Sequence, residues 1–346
     1  MARIKISRGK YEALQACMNE KGIIAAVAMD QRDALRKSMA KISGGPVPDE
    51  ALTTFKRKVA KVLTRYASAI LLDPEYGLPA LEECPPDKGV LLSYERTGYD
   101  ANIPGRLPAL LPTWSVRRLR EAGASAVKIL LYYDPFGDER VNDIKRAFIE
   151  RVGSECAAQD IPFFLEPLAY KDTYDVQSLA FARLKPQYIS AFMEEFSKSY
   201  YGVDILKVEM PINSAYLAGS KAYQGGEVAY DHQAALNHLR AMASVAKKPF
   251  LYLSGGVDDA VFRENLELAA EAGVPFSGVL CGRATWKGGI QPFLTGGPDR
   301  LEDWLVEQGV QNIQTLNKTL SMCAQPWYTI YGGEENIEIV DASQAR

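Results

Sequence analysis

The chain has 346 residues, of which 47% are hydrophobic and 24% are charged. These proportions are typical of globular proteins and exclude a disordered chain, a collagen-like chain and a coiled-coil rod. Forty basic and 43 acidic residues leave a formal net charge of −3. Because nucleic acids and anionic membranes are bound through basic surfaces, this balance argues against both as partners. No apolar run approaches the ~18 residues that a membrane-spanning helix requires.

The scarce residue types exclude several kinds of site. There are only two histidines, His232 and His238, so a zinc or iron centre built on several imidazoles is hard to assemble. The five cysteines are scattered, odd in number and never spaced as CxxC. This pattern predicts no metal knuckle, no disulfide framework and a reducing, cytoplasmic location. The charged N-terminus lacks the apolar core of a signal peptide.

Eight apolar runs of strand length follow one another along the chain. They are IIAAVAMD (23–30), ASAILLD (67–73), GVLLSYE (89–95), SAVKILLYY (125–133), IPFFLEPLAY (161–170), DILKVEMP (204–211), FLYLSGG (250–256) and SGVLCGRAT (277–285). Helical periodicity is found between them, at 52–66, 114–122, 141–156, 187–199, 230–246 and 259–272. Pro186 and Asp258 stand where helices often begin.

Strands that alternate with helices indicate an α/β protein with a parallel sheet, most economically a closed (β/α)8 TIM barrel. The short segment EYGLPALEECPPDKG is expected to cross between the second and third strands with one helical turn. The remainder is expected to form an N-terminal helix, a loop at 41–50 and further helices from about residue 289, all within one domain, 1–346. A doubly wound open sheet is the alternative, but DQRDAL rather than GxGxxG follows the first strand.

Two lysines and a glutamate interrupt these apolar strands. Alternate residues of a barrel strand face the interior, and the apolar neighbours of Lys207 and Lys128 suit the helical shell, which turns both lysines inward. Glu166 lies in the middle of the fifth run. Because a buried lysine is costly unless it is paired or deprotonated, we expect Glu166 to pair with one ammonium while the pKa of the other lysine falls. A neutral amine can form an imine with a ketone; a structural ion-pair cluster is the alternative.

Acidic residues end the first three strands, at Asp30, Asp73 and Glu95. The last two strands end differently, in Ser254-Gly255-Gly256 and in Gly282-Arg283. In (β/α)8 enzymes the loops after strands seven and eight often bind phosphate through backbone N–H groups, and arginine adds a forked donor. The sequence thus predicts a phosphate site here, with tight βα turns and a surface arginine as the alternative.

The chain resembles the tagatose 1,6-bisphosphate aldolase family of class I aldolases from about Gly22 to Trp286, and more weakly to about Asn317. The matching stretches are GIIAAVAMDQR, YASAILLDPEYGLPA, LLSYERTGYD, AVKILLYYD, IERVGSEC, IPFFLE, DILKVEMP, YLSGGV and GVLCGRATW. They are long and occur in order, so the resemblance is specific. It implies a (β/α)8 barrel that cleaves a ketohexose 1,6-bisphosphate to dihydroxyacetone phosphate and glyceraldehyde 3-phosphate without metal or cofactor.

The resemblance also implies roles for individual residues. Lys207 of LKVE corresponds to the Schiff-base nucleophile and Glu166 of FFLE to the proton shuttle. Lys128 of AVK corresponds to the adjacent cation. Asp30 of MDQR corresponds to the group that contacts the hydroxyl losing its proton in C–C cleavage, with Gln31 beside it.

Substrate binding is implied at both ends of the sugar. Residues that match the pocket for the C1 phosphate are Ser254, Gly255, Gly282 and Arg283. Arg32 is the candidate for the second phosphate. The sequence departs from the family pattern at Asp33, where glycine is expected, at Pro167 and at Pro135. These departures leave the chemical core intact and concern the distal group of the substrate.

The phosphorylated ketose is the expected partner, and a homo-oligomer is left open. One alternative is the same chemistry on another ketose phosphate, such as a sulfonated sugar, or transaldol transfer. The other is a regulatory protein that keeps the barrel and binds the metabolite as a signal.

Overall fold

The computed structural model describes residues 3–96 and 103–345, so residues 97–100 of the LLSYERTGYD stretch lie outside it. Strand β1 (Ile4–Ser7) precedes a closed parallel barrel. The barrel strands are β2 (Ile24–Ala28), β3 (Ala69–Leu72), β4 (Gly89–Ser93), β5 (Ala126–Tyr133), β6 (Phe163–Ala169), β7 (Ile205–Val208), β8 (Phe250–Leu253) and β9 (Gly278–Cys281). Each lies within one of the eight predicted runs. Because β9 pairs with β2, from Ile24↔Gly278 to Val27↔Cys281, the closed barrel is confirmed and the doubly wound sheet is wrong.

Helices surround the barrel and extend beyond it. They are α1 (Arg8–Ala16), α2 (Asp33–Ser43), α3 (Asp49–Leu63), α4 (Val116–Glu121), α5 (Glu139–Ala158), α6 (Leu179–Phe196), α7 (His232–Val245), α8 (Asp259–Glu271), α9 (Arg283–Trp286), α10 (Ile290–Trp304) and α11 (Val310–Cys323). The predicted N-terminal helix, the helices after about residue 289 and the start after Asp258 are confirmed. A 3₁₀ helix, Leu78–Glu83, makes the predicted short crossover.

The predicted loop at 41–50 is too long at both ends. Helix α2 continues to Ser43, and α3 begins at Asp49, so only residues 44–48 connect them. Gly44 ends α2 in the left-handed conformation, with φ 71°. The sequence reasoning missed α2, whose first residue follows the site residues at the end of β2.

Pro186 does not begin a helix; it lies inside α6, which starts at Leu179. A proline inside a helix leaves the carbonyl four residues earlier without its N–H donor. Here that carbonyl belongs to Ala182, and it accepts a hydrogen bond of 2.5 Å from the hydroxyl of Tyr230. A tertiary contact therefore allows the helix to pass through a residue that by itself predicts a boundary.

The amino end of the barrel is closed by segments that the sequence did not predict as strands. Strand β1 pairs in parallel with β10 (Ile337–Val340) outside the barrel. Trp327 and Leu14 are buried against the inward-facing residues at the start of the barrel strands. This packing fills the amino half of the barrel interior and leaves the carboxyl half for polar residues.

The strand alternation follows the prediction. Val127, Ile129, Leu206 and Val208 all belong to the outer apolar cluster between sheet and helices. Lys128 and Lys207 therefore face the barrel interior, as predicted. In the described ranges, the structure contains no helix with the length and apolar character needed to cross a membrane.

Candidate active site

A cavity of about 450 Å³ opens at the carboxyl ends of the barrel strands. Its walls include Asp30, Glu95 and Arg283, which follow the ends of β2, β4 and β9, together with Glu166 of β6 and Lys207 of β7. Enzymes of this fold carry their active sites at this face, because the strand ends and the βα loops converge there.

Lys128 is the centre of the charged cluster below the cavity. Its side chain is fully buried, and its Nζ lies 2.8 Å from Asp30 Oδ2, 2.9 Å from Glu95 Oε1 and 2.8 Å from Glu166 Oε2. Asp30 and Glu95 follow the ends of β2 and β4, and Glu166 lies in the middle of β6, so the closed barrel brings three distant segments to one ammonium. Three negative groups around one cation offset the cost of burying its charge.

The cluster shifts the pKa values of its members in different directions. Burial lowers the pKa of Lys128, but Asp30, Glu166 and Glu95 outweigh burial and hold it well above its ordinary value. Burial raises the pKa of Asp30, yet Lys128 and Lys207 hold it well below its ordinary range. For Glu95, burial dominates and raises the pKa. These directions favour a charged Lys128 and an ionised Asp30 at neutral pH.

Lys207 shares a carboxylate with Lys128. Its Nζ lies 2.9 Å from Glu166 Oε2, the same oxygen that contacts Lys128. Lys207 lines the cavity, whereas Lys128 is fully enclosed beneath it. Of the two inward lysines that the sequence predicts, Lys207 is therefore the one that a ligand can reach.

Besides Glu166 Oε2, whose contacts with the two lysines are ion pairs, two carboxylate oxygens of the cluster have no hydrogen-bond donor. Asp30 Oδ1 and Glu95 Oε2 are buried and accept no hydrogen bond from any residue in the described part of the chain. Both residues line the cavity. Because a buried acceptor is costly to leave unsatisfied, these oxygens are suited to accept hydrogen bonds from hydroxyls of a bound ligand.

The loops after β8 and β9 meet, as the phosphate prediction requires. Gly255 and Gly256 follow Ser254 with φ of 60° and 87°, the left-handed region that favours glycine. A Cβ atom at Gly256 would lie 3.0–3.1 Å from the guanidinium atoms of Arg283, so the arginine folds over this loop. Gly255 and the exposed Arg283 line the main cavity, and Ser254 lines an adjoining cavity of about 280 Å³.

Gly282 allows a close approach between the first and last barrel strands. A Cβ atom there would lie 2.9 Å from the carbonyl oxygen of Ala28 and 3.1 Å from Gln31 Nε2. A larger residue would displace Gln31, which lines the cavity next to Asp30. The predicted residues Gln31, Gly282 and Arg283 are thus brought together.

Arg32 lines the cavity, but its guanidinium is already held by protein partners. Nη1 donates to Glu75 Oε2 over 2.6 Å, and Nη2 donates to the carbonyl oxygen of Glu95 over 2.8 Å. Two exposed cations, Lys37 and Arg96, line the same cavity. Sequence reasoning missed both, because Lys37 lies on the unpredicted helix α2 and Arg96 follows a strand end at which only the carboxylate was noticed.

The acidic strand ends separate into two groups. Asp30 and Glu95 join the cluster, although sequence reasoning assigned no role to Glu95; its position two residues after inward-facing Ser93 was the available signal. Asp73 is fully buried and does not line the cavity. It forms an ion pair with Lys56 of α3 instead. Among the residues described, no group of three or more His, Cys, Asp or Glu side chains could hold a metal ion.

The barrel and its polar cavity together define a (β/α)8 barrel enzyme, since active sites of this fold lie at the carboxyl ends of the strands. Comparison with known families narrows this class. The model of the DeoC/LacD family of aldolases matches residues 24–288, and the chain belongs to that family.

Full-length relatives support the same family. A tagatose 1,6-diphosphate aldolase of Listeria monocytogenes serotype 4b is 47% identical over 339 residues, which cover 98% of this chain and 99% of the relative. Tagatose 1,6-diphosphate aldolase 2 of Enterococcus faecalis is 47% identical over 326 residues, covering 94% and 97%. A tagatose 1,6-diphosphate aldolase of Staphylococcus aureus is 47% identical over 322 residues, covering 93% and 98%.

Solved structures with low sequence identity share the fold. The fructose-bisphosphate aldolase of Plasmodium falciparum has a TM-score of 0.62 at 15% identity and covers 94% of this chain and 98% of its own. An archaeal fructose 1,6-bisphosphate aldolase has a TM-score of 0.54 at 16% identity, covering 93% and 99%. At these identities the similarity establishes the barrel fold and no more.

Proposed function

We propose that this protein is a class I aldolase that cleaves a ketohexose 1,6-bisphosphate, tagatose 1,6-bisphosphate or a close relative, to dihydroxyacetone phosphate and glyceraldehyde 3-phosphate. The observation that carries the proposal is the single oxygen, Glu166 Oε2, that lies within 2.9 Å of both Lys207 and Lys128. This arrangement provides a nucleophile, a proton carrier and a fixed cation at the base of one cavity. The relatives that are similar to this chain over nearly their full length are named tagatose 1,6-diphosphate aldolases, which supports the choice of substrate.

Imine formation uses the Lys207–Glu166 pair. Glu166 accepts a proton from the Lys207 ammonium, and the resulting neutral amine attacks the C2 ketone of the substrate. Glu166 then returns a proton to the C2 hydroxyl of the carbinolamine, which leaves as water and gives the protonated imine. Lys128 keeps its charge throughout, because three carboxylates hold its pKa well above its ordinary value.

Cleavage uses Asp30, whose carboxylate stays ionised beside Lys128. Its Oδ1 accepts the proton of the C4 hydroxyl, and the C3–C4 bond breaks. The electron pair of that bond moves into the protonated imine, which becomes an enamine, and glyceraldehyde 3-phosphate leaves. Protonation of the enamine at C3 and hydrolysis of the imine then release dihydroxyacetone phosphate and restore Lys207. The iminium serves as the electron sink in this sequence.

We assign the two phosphates to different groups of residues in the cavity wall. Backbone N–H groups of the Ser254–Gly256 loop, Gly282 and the guanidinium of Arg283 bind the C1 phosphate. Arg32 is the candidate from the sequence for the distal phosphate, but two of its nitrogens already donate to Glu75 and to the Glu95 carbonyl. We therefore assign the direct contacts to exposed Lys37 and Arg96, with Arg32 adding positive charge behind them.

Borohydride trapping tests this proposal. With dihydroxyacetone phosphate, reduction should add a stable adduct to the peptide that contains Lys207, read by mass spectrometry, and EDTA should not prevent it. An adduct on Lys128 would reverse the roles of the two lysines, and no adduct anywhere would refute the class I mechanism. Cleavage assays with tagatose, fructose and sulfonated ketose phosphates then rank the substrates.

A further inference from the structure

Besides Lys128 and Lys207, a third buried lysine, Lys56, lies close to the active site but outside the barrel. Lys56 lies on α3 and is fully buried, on the face of the helix that also buries Leu52, Phe55 and Val59. It does not line the cavity and has no part in the chemistry proposed above. A fully buried lysine on an apolar helix face needs an explanation, because burying its charge is costly.

The ammonium of Lys56 is fully hydrogen-bonded. Its Nζ donates to the carbonyl oxygen of Met29 over 2.7 Å, to the carbonyl oxygen of Gln31 over 2.8 Å and to Asp73 Oδ1. Three acceptors around one nitrogen match the three donors of an ammonium group. Two of those acceptors are the backbone carbonyls on either side of Asp30.

Asp73 in turn is held in place by the backbone that follows β3. Its Oδ2 accepts hydrogen bonds from the backbone N–H groups of Glu75 over 3.0 Å and of Tyr76 over 2.7 Å. Glu75 also holds Arg32 through the contact of 2.6 Å described above. Two sets of contacts thus hold the segment from Met29 to Arg32. Lys56, paired with Asp73, binds the carbonyls of Met29 and Gln31, and Glu75 binds the guanidinium of Arg32.

We propose that Lys56 is a positioning residue for C–C cleavage, which fixes the backbone on both sides of Asp30 so that its carboxylate points at Lys128 and the cavity. This inference rests on the proposed function, because it assumes that Asp30 accepts the C4 hydroxyl proton. Lys207 and Glu166 lie on β7 and β6, and Lys56 donates no hydrogen bond to either strand. Loss of Lys56 should therefore affect the cleavage step far more than imine formation.

The variant for the test is Lys56→Met with Asp73→Asn. Lys56→Met alone would leave a buried carboxylate without its counter-charge, and the resulting destabilisation would obscure the result. The asparagine introduced by Asp73→Asn keeps an oxygen for the Tyr76 N–H and removes the charge. Lys145→Met is the matched control, since Lys145 is another fully buried lysine, on α5, and contacts none of the proposed site residues.

Two rates are measured for each folded variant. One is borohydride trapping with dihydroxyacetone phosphate, which reports imine formation, and the other is steady-state cleavage of tagatose 1,6-bisphosphate. For the double variant we expect kcat for cleavage to fall about ten- to a hundredfold, since a shift of about 1 Å in a reacting group can cost that much. Trapping and KM should change by less than about threefold, and the Lys145→Met control should change neither.

A second background tests whether Lys56 acts through Asp30. In an Asp30→Asn protein, adding the Lys56 and Asp73 changes should lower kcat by less than about twofold, because effects of residues acting as a unit are not additive. Full additivity, an unchanged kcat in the double variant, or an equal loss of trapping and cleavage would each overturn the positioning role. If the parent protein itself neither traps nor cleaves, the proposed function has failed instead.

Discussion

Two fully buried lysines, Lys128 inside the barrel and Lys145 among the outer helices, have opposite electrostatic surroundings. Lys128 lies within 2.9 Å of three carboxylates. Lys145 donates over 2.9 Å to the Tyr170 hydroxyl, which itself donates to the Gly105 carbonyl, and in the described ranges it has no ion pair. Both have lost contact with water, so burial alone does not decide whether a lysine keeps its proton.

The pKa values follow the number of carboxylates. Burial lowers the pKa of Lys145 to about 8, with Asp134 and Asp172 only partly opposing it. The pKa of Lys128 is raised well above its ordinary value despite the same burial. The three carboxylates of the barrel interior therefore favour a charged Lys128. This agrees with the proposed division between Lys128 as a cation and Lys207 as the nucleophile. The predictions below test this difference.

The largest effect is expected for Lys128→Met, because it leaves three buried carboxylates without their counter-charge. Cleavage should fall by on the order of a thousandfold. The free energy of unfolding should fall by about 3–5 kcal/mol, as measured by denaturant titration. Lys145→Met should lose almost no activity. Comparable losses in the two variants would show that the barrel cluster is an ordinary structural ion-pair network.

Glu166→Gln keeps the shape of the shared carboxylate but removes its ability to carry a proton. Imine formation with dihydroxyacetone phosphate should slow by on the order of a hundredfold or more. The affinity for dihydroxyacetone phosphate, measured by isothermal titration calorimetry, should be unchanged. A variant that traps the imine at the parental rate would assign the proton shuttle to another residue, with Glu95 the first candidate.

Arg283→Ala should weaken phosphate binding and leave the lysine chemistry intact. Loss of a charge-assisted contact costs ~1.5–3 kcal/mol, or roughly ten- to a hundredfold in affinity. Affinity for dihydroxyacetone phosphate should fall by this factor, whereas affinity for unphosphorylated dihydroxyacetone should stay the same. An equal loss of affinity for both ligands would mean that Arg283 supports the Gly256 loop and does not bind the phosphate group.

The smallest effect concerns stability against pH at Lys145. Its pKa is lower in the folded protein than the ordinary value of 10.5. Between pH values of about 8 and 10.5, Lys145 therefore binds more protons in the unfolded chain than in the folded protein. Unfolding accordingly becomes less favourable as pH rises through this window. Relative to Lys145→Met, the parent should gain stability across this window in denaturant titrations. No relative gain would mean that the Lys145 ammonium is better solvated than its burial indicates.

The sequence by itself determined the barrel and its inward residues. Eight apolar runs separated by helical segments set the order of strands, and the period of two turned Lys128, Glu166 and Lys207 into the interior. The glycines and Arg283 after the last two strands likewise predicted that the loops after these strands meet at the cavity, and their binding of phosphate stays a prediction. These features could be found because they depend only on local spacing and on the way that parallel strands align their carboxyl ends. The assignment of residues 1–346 to a single domain stays a prediction.

Only the tertiary structure decided which charged groups meet. Asp30, Asp73 and Glu95 look alike as acidic strand ends, yet two surround Lys128 and the third pairs with Lys56. Lys56 interrupts the apolar face of α3, but its partners lie 17, 25 and 27 residues away along the chain. Pairing of this kind depends on the closure of the barrel and on how each helix packs against it. Periodicity along a single segment carries no information about either, because both are set by contacts between segments distant in the chain.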